Sequence, residues 1–253
     1  MSDKQNLEGQ IVSQVAERSI SNQLESAEQI DIYVETDILK IVQGQADGLT
    51  IAGQGLVTKQ NIRVQEIQLK TDTLSINPLS VISGQVQLDR PLNLMARITL
   101  TQADINSALA SDFTRKFAQN YDLNVNGEIV NLTLQEIQMF LPGNGRIECQ
   151  GKVLLHEKGK TRPLGFLAKL RPRTSKQTLR LESFQCHEGE GVSLELIVAL
   201  MQKFKELVNL PYFTWEGINI RIKDMEIQQG SLIIFSEAHV RQIPEAISEF
   251  TES

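Results

Sequence analysis

The residues best suited to catalysis or metal binding are three histidines, His156, His187 and His239. His156 and His187 end adjacent predicted strands, so their imidazole rings could meet and act together on a proton or a metal ion. No two histidines stand at a metal-ligand spacing such as HExxH, and no GxSxG or SxxK nucleophile motif occurs. Carboxylates are numerous but scattered, as on a solvated surface. The sequence therefore predicts no enzyme activity, no metal site and no cofactor.

The two cysteines, Cys149 and Cys186, lie on separate predicted strands and form no CxxC pair. This spacing argues against a zinc ribbon or a thioredoxin-like redox centre. Two reduced, buried thiols are favoured over a disulfide, but pairing of the two residues stays open.

The basic residues are concentrated in residues 152–180, which hold nine Lys or Arg and one acidic residue, Glu157. This asymmetry is typical of a surface that binds anionic groups, such as phospholipid head groups or an acidic protein partner. The candidate contacts are Lys169, Arg171 and Arg173. The basic residues surround two successive turns of a predicted meander, which lie at opposite ends of a sheet. Two separate basic rims, or a solvated edge, are therefore the alternatives.

Length and overall charge restrict the class of protein. With 253 residues, 41% of them hydrophobic and 22% charged, the chain can form a large globular core. Sheet-rich folds often keep such a length in one domain, so we predict a single domain over residues 1–253 that ends in an acidic tail at 244–253. The net charge of −6 argues against a general nucleic-acid binder and against attraction of the whole surface to an anionic membrane.

Membrane targeting is not indicated. The first residues lack a basic stretch followed by an apolar run, and no segment approaches the ~18 apolar residues of a membrane span. We therefore expect the protein in the cytoplasm or at the periphery of a cytosol-facing membrane.

The stretch Leu92–Ala110 changes from an alternating strand to a short helix at Thr101. The Thr101 hydroxyl can cap this helix, and Asp104 adds a favourable charge to its first turn. We therefore interpret Asp104 and Asn106 as cap and turn residues. Because side chains alternate between the two faces of a strand, the following residues share one face: Leu92, Leu94, Ala96, Ile98 and Leu100.

Two amphipathic helices and a long series of strands are predicted around this stretch. Residues 6–28 carry small apolar residues on one side, including Ile11 and Val15, which favours packing on a sheet over lying on a membrane. Val192–Leu210 has an apolar arc over about half of the helix. The apolar arc contains Leu196, Ile197, Leu200, Met201, Phe204, Leu207 and Val208. The Asn126-Gly127 dipeptide predicts a hairpin. A strand meander is predicted at Ile147–His156, Leu164–Leu170 and Thr178–Cys186.

The central part of the chain resembles a known family. The matching pattern is Gly84-x-Val86-x-Leu88-x-Arg90-Pro91-Leu92, followed by Ala96-x-Ile98-x-Leu100-Thr101-x-x-Asp104-Ile105-Asn106-x-x-Leu109. It resembles the bacterial LmeA-like phospholipid-binding domain, and the resemblance covers residues 8–243. This resemblance implies an α+β fold of the tubular lipid-binding (BPI-like) type, in which a long curved antiparallel sheet wraps one or two long helices and leaves an apolar groove. Many relatives are exported or membrane-anchored, which differs from the location expected above.

The resemblance also implies a function. The protein would bind a phospholipid or another acyl lipid without catalysis, associate with a membrane at its periphery or transfer lipid. Ile11, Val15 and the apolar arc of Val192–Leu210 would line the groove, and the three basic candidate contacts would reach the head group. The alternative is a scaffold protein with a fully packed core that docks an acidic partner through residues 152–180. An unrecognised lipid-modifying enzyme that uses His156 or His187 is a third hypothesis.

Overall fold

The fold is mostly antiparallel sheet, part of which curls into a half-barrel, together with helices. The computed structural model describes residues 13, 17, 21, 24–71, 73–75, 88–112, 120–157, 159–187, 192–208, 212–215 and 218–241. The predicted α+β class is confirmed, whereas the tubular lipid-binding type stays a prediction. None of the helices within those ranges is both long enough and apolar enough to cross a membrane.

The chain forms two compact units, which are described separately. Unit 1 contains Met1–Thr99, Pro211–Lys223 and Ile234–Ser253. Unit 2 contains Leu100–Leu210 and Asp224–Ile233. The single domain over residues 1–253 stays a prediction, and the acidic tail at 244–253 lies outside the described residues.

The strands of the described ranges are, in chain order, β1 (Leu24–Ser26), β2 (Gln29–Glu35), β3 (Gln45–Ala46), β4 (Gly48–Thr58), β5 (Arg63–Thr71), β6 (Leu74–Ser75), β7 (Leu92–Thr101), β8 (Tyr121–Val125), β9 (Glu128–Gly143), β10 (Arg146–Glu157), β11 (Lys160–Arg171), β12 (Arg180–His187), β13 (Tyr212–Trp215), β14 (Ile218–Gln228) and β15 (Ser231–Val240). The helices are α1 (Ile38–Val42), α2 (Gln102–Ala110) and α3 (Leu194–Val208). Ser13, Glu17 and Ser21 are also helical. The helix predicted over residues 6–28 extends too far, because β1 begins at Leu24.

Unit 1 contains most of an antiparallel sheet with the strand order β1-β4-β5-β7-β15-β14-β13, in which β2 also pairs with β4. Alternation buries Ile30, Ile32 and Val34 of β2 on one face, whereas Tyr33 points to the opposite face and is exposed. The Val34 N–H donates to the hydroxyl of the buried Ser13 at 3.2 Å. This hydrogen bond joins the helical residue Ser13 to β2.

Unit 2 is built on a sheet with the strand order β12-β11-β10-β9-β8. One face of this sheet is apolar, and its buried side chains include Leu132, Val153, Leu155, Leu164, Phe166, Ala168 and Leu170. Gly151 of β10 lies opposite Phe166 of β11, and a Cβ atom on Gly151 would come within 2.6 Å of the Phe166 ring. Glycine is therefore required here, because the ring occupies the space that any side chain would need.

The hairpin predicted at Asn126-Gly127 is confirmed, since it joins β8 to β9 with Val125 paired to Glu128. Asn126 and Gly127 have φ angles of 53° and 89°. Two consecutive left-handed residues are what a tight hairpin turn requires, and Asn-Gly adopts them at low cost. The predicted meander is also confirmed, as β10, β11 and β12.

The change from strand to helix at Thr101 is confirmed. The Thr101 hydroxyl accepts a hydrogen bond from the Asp104 N–H at 3.1 Å, and the Asp104 carboxylate accepts one from the Thr101 N–H at 3.3 Å. Together they form a capping box at the start of α2. The predicted role of Asp104 in the cap is therefore correct.

The interpretation of Asn106 as a turn residue is wrong, because Asn106 lies inside α2 and bonds to another strand. Its Nδ2 donates to the Met139 carbonyl at 2.8 Å, and its Oδ1 accepts from the Met139 N–H at 2.7 Å. The Gln102 side chain similarly accepts from the Leu141 N–H at 2.7 Å. The β8–β9 ladder ends at Leu132, so these side chains satisfy backbone groups of β9 beyond the end of β8.

The start of α2 and the end of β9 are also joined to the turn between β14 and β15. The Gln102 N–H donates to the Gly230 carbonyl at 2.8 Å, and the Gly230 N–H donates to the Leu141 carbonyl at 2.9 Å. With the Gln102 side chain bound to the Leu141 N–H, three segments of unit 2 close a ring of hydrogen bonds.

Both cysteines are free thiols, as favoured by the sequence. Cys149 pairs with Ala168 of β11, and Cys186 pairs with Phe166 of the same strand, so β11 lies between the two thiols. Cys149 is 2% exposed, and burial raises its pKa to about 12. Burial also raises the pKa of the half-buried Cys186.

We expect iodoacetamide at pH 8 to modify Cys186 slowly and to leave Cys149 unmodified in the native protein, while both react in urea. The thiolate is the reactive form, and the Cys149 thiol is both inaccessible and protonated at this pH. Because its pKa is raised above the ordinary value of 9.0, its contribution to stability is present below pH 9 and is lost as the pH approaches about 12. Peptide mass spectrometry would check the order of modification, and native labelling of Cys149 at the rate of Cys186 would contradict it.

Candidate functional site

The helix α3 packs on the apolar face of the unit 2 sheet through one side of its predicted apolar arc. Leu196, Leu200 and Phe204 are buried. The Phe204 ring lies 5.6 Å from the Phe166 ring and 5.7 Å from the Phe184 ring, measured between centroids, and the two strand rings are 5.8 Å apart. These three rings form a packed aromatic cluster, which occupies the space between α3 and the sheet.

The neighbouring side of α3 is apolar but open to solvent. We call it the α3 flank, and it consists of Leu194, Ile197, Val198, Met201 and Val208. Leu194 is 72% exposed and Val198 is 39% exposed. The other three side chains are half-buried. The predicted lining residues of α3 therefore divide into a packed side and an open flank, and Leu207 near the helix end is also exposed.

Ile11 and Val15, the predicted lining residues of the first helix, lie outside the described residues.

A second apolar surface lies in unit 1 and was not predicted as a site. There the inner face of the sheet carries aliphatic side chains that are only half-buried, namely Leu49, Ile51, Ile67, Leu69, Leu94 and Ile98. The alternating pattern of β4, β5 and β7 predicts that these residues share a face, but it cannot predict that the face is incompletely covered.

Burial on this second surface is nearly complete at β2 and only partial on the next three strands. Ile32 of β2 is 5% exposed, and it is followed in register by Ile51, Leu69 and Ala96, all of which are half-buried. We call the half-buried residues on β4, β5 and β7 the aliphatic face of unit 1. A row of aliphatic side chains in the middle of a sheet is an unusual place for partial exposure, and it is the type of surface that an acyl chain can cover.

A small pocket lies between α2 and β9. It has a volume of about 160 Å³, and its lining includes Asn106, Leu109, Leu134 and Ile137. Pockets that enclose drug-sized ligands have volumes of roughly 300–1,000 Å³. This pocket is therefore too small to enclose a phospholipid.

Two of the three basic candidate contacts, Lys169 and Arg171, lie on the face of the unit 2 sheet opposite α3. Phe166 contacts α3, so the alternation of β11 directs Lys169 and Arg171 to the other face. Lys169 forms an ion pair with Glu148 at 3.1 Å, and Arg171 is hydrogen-bonded to Glu182. A lipid that lay along α3 would therefore have to pass around the edge of the sheet to reach them.

The basic residues at the two ends of β11 form two separate rims, as one of the alternatives predicted. Glu157 and Lys160 lie opposite each other in the strand register at the β10–β11 turn. Arg171 and Arg180 lie opposite each other at the other end of β11. At ~3.3 Å per residue, the 12 residues of β11 put the two rims on the order of 35 Å apart. A single acidic partner would have to be extended to contact both.

The expectation that His156 and His187 could meet is wrong. His156 is on β10 and His187 is on β12, and β11 separates these two strands. On β11, Thr161 lies opposite His156 and Gly165 lies opposite His187. The His156 ring nitrogens lie 3.1 Å from the Thr133 hydroxyl and 2.9 Å from the Thr161 hydroxyl. Within the ranges that the structure describes, no three His, Cys, Asp or Glu side chains are grouped as metal ligands.

Comparison with known proteins places these surfaces in a family context. The family model described as LmeA-like phospholipid-binding matches residues 3–235 of the 253-residue chain. Neither a curated protein nor a solved structure matches the chain significantly. The family model covers most of the chain, including both apolar surfaces. The protein therefore belongs to the LmeA-like phospholipid-binding family.

Proposed function

We propose that this protein binds phospholipid without catalysing a reaction, at the periphery of a membrane or as a carrier between membranes. The observation that carries the proposal is the family match over residues 3–235. The exposed apolar side chains of α3 and the half-buried aliphatic side chains of unit 1 support it, because an acyl chain needs an apolar surface that is not fully covered.

We propose the α3 flank as the surface that receives the acyl chain. Leu194 and Val198 stand one helical turn apart on the same side of α3, and both are exposed. The packed side of α3 is less suitable, since a lipid there would have to displace the aromatic cluster of Phe166, Phe184 and Phe204. The aliphatic face of unit 1 is the competing surface for the same function.

The double variant Leu194→Gln/Val198→Gln is expected to weaken phospholipid binding about 30-fold. Covering these two side chains contributes about 2 kcal/mol, after allowing for their partial burial in the free protein. Binding would be measured by native mass spectrometry of lipid-loaded protein and by co-sedimentation with phosphatidylcholine vesicles. Since both side chains are exposed, the variant is expected to fold like the wild type, which circular dichroism would check.

The matched control is Ile129→Gln, because Ile129 is 63% exposed in the same unit and lies next to the β8–β9 turn, where strand alternation directs it to the face opposite the buried Val130. This variant should bind lipid like the wild type. Unchanged binding by the double variant would exclude the α3 flank. If Ala96→Phe, which fills part of the aliphatic face of unit 1, then abolished binding, the acyl chain would lie there instead. A wild-type protein that carries no lipid and binds no vesicles would refute the proposed function itself.

A further inference from the structure

Three arginines surround a single carboxylate on the outer face of the unit 2 sheet, the face away from α3. The Arg146 Nε lies 3.3 Å from one Glu182 oxygen, and an Arg180 guanidinium nitrogen lies 3.6 Å from the other. Arg171 is hydrogen-bonded to the same carboxylate. We call Arg146, Arg171 and Arg180 the arginine cluster.

The strand register brings these side chains together. Arg171 and Arg180 are directly paired on β11 and β12, and Arg146 begins the neighbouring strand β10. The register between β11 and β12 shifts at Glu182, since Lys169 pairs with Ser183 and Leu170 pairs with Leu181. The extra residue is the mark of a β-bulge, which redirects side chains locally. Here the bulge puts the carboxylate of Glu182 among the three guanidinium groups.

One carboxylate cannot neutralise or saturate this cluster. Each guanidinium has five N–H donors, whereas a carboxylate has about four acceptor positions. The three arginines and Glu182 together carry a formal charge of +2. Glu148 faces the same side of the sheet, but its carboxylate forms an ion pair with Lys169 at 3.1 Å. This neighbouring ion pair adds no net charge to the cluster.

Like charges directly opposite each other on adjacent strands are destabilising, so the pairing of Arg171 with Arg180 is unfavourable without an anion between them. Glu182 supplies part of that negative charge, and the hydrogen bond from Arg171 holds the pKa of Glu182 below its usual value. The carboxylate therefore stays ionised and keeps the three arginine side chains gathered in one place.

We propose that the arginine cluster is a binding site for a phosphate group. A phosphate has more acceptor oxygens than a carboxylate and up to two negative charges, and the planar fork of arginine binds its oxygens in pairs. The exposed fractions of the Arg146, Arg171 and Arg180 side chains are 48%, 45% and 67%, so a ligand can reach all three. The site is independent of the proposed acyl surface, because the sheet separates it from α3.

The phosphate could belong to a phospholipid head group in a membrane or to a soluble phosphate ester, and one experiment distinguishes them. Wild-type protein would be titrated with glycerol 3-phosphate, and separately with phosphatidylcholine vesicles with and without phosphatidic acid. Binding would be followed by the NMR signals of the arginine Nε–H groups and by co-sedimentation. The signals of Arg146, Arg171 and Arg180 are expected to shift with at least one ligand. A response to phosphatidic acid alone identifies a membrane head group, and an equal response to glycerol 3-phosphate identifies a soluble ester.

Arg146→Gln/Arg180→Gln is expected to lower affinity for the responding ligand about tenfold or more. The matched control is Arg162→Gln, because Arg162 also pairs with a glutamate, Glu157 at 3.0 Å, but at the other end of β11. The proposal is overturned if neither ligand shifts the cluster signals, or if Arg162→Gln weakens binding as much as the double variant.

Discussion

Replacing Phe204 with alanine is expected to lower the free energy of unfolding by about 3–5 kcal/mol, which would be a large part of the stability of a typical domain. Phe204 is 8% exposed and contacts Phe166 and Phe184, so its removal leaves a cavity between α3 and the sheet. The cost combines the lost burial of the ring with the lost contacts of the two remaining rings. Urea denaturation followed by near-ultraviolet circular dichroism would measure the change.

The control for this prediction is Leu207→Ala on the same helix. Leu207 is 39% exposed, so its truncation should cost only about 1 kcal/mol. Equal losses for the two variants would mean that α3 is held by its general apolar character and that the aromatic cluster has no special role.

Replacing Asn106 with leucine is expected to lower the free energy of unfolding by about 2–4 kcal/mol. Leucine leaves the N–H and the carbonyl of Met139 without the partners that they have in the native protein, and each unsatisfied group costs about 1–3 kcal/mol. The effect should also be local. Hydrogen exchange at the Met139 amide is expected to accelerate more than exchange elsewhere in β9.

Two further variants isolate the cause. Asn106→Asp retains an oxygen that can accept from the Met139 N–H, but it places a charge near the Met139 carbonyl, so its effect should be intermediate. Ser107→Ala changes an exposed neighbour on the same helix and should leave stability within about 0.5 kcal/mol of the wild type. Unchanged exchange at Met139 in Asn106→Leu would contradict the assignment.

Local sequence patterns predicted the elements whose causes are also local. The capping box needs only Thr101 and Asp104, which are three residues apart, and the β8–β9 hairpin needs only Asn126 and Gly127. The helix predicted at Val192–Leu210 is observed at Leu194–Val208, because its periodic apolar arc is a property of that segment alone.

The sites depend on contacts between distant segments, and these were not predicted. Nothing near Asn106 in sequence indicates that its side chain will bond to Met139. Likewise, the charge excess in residues 152–180 drew attention to Arg171, but the cluster around Glu182 also needs Arg146, which lies outside that segment. The apolar arc of α3 was recognised as one surface, and only its packing on Phe166 and Phe184 divides it into a buried side and an open flank. A pattern of residue types gives the faces of an element, whereas the pairing of elements decides which face is covered.

The ring of hydrogen bonds that joins Gln102, Leu141 and Gly230 has a consequence for synthesis of the chain. A ribosome releases α2 and β9 long before it releases the β14–β15 turn, and until then the Gln102 N–H and the Leu141 carbonyl lack Gly230. Unit 2 therefore cannot complete its hydrogen bonds during translation of its own central segment and must wait for the C-terminal hairpin. A nascent chain halted before residue 230 should hold β9 in a form that proteases cut more readily than the same strand in the released protein.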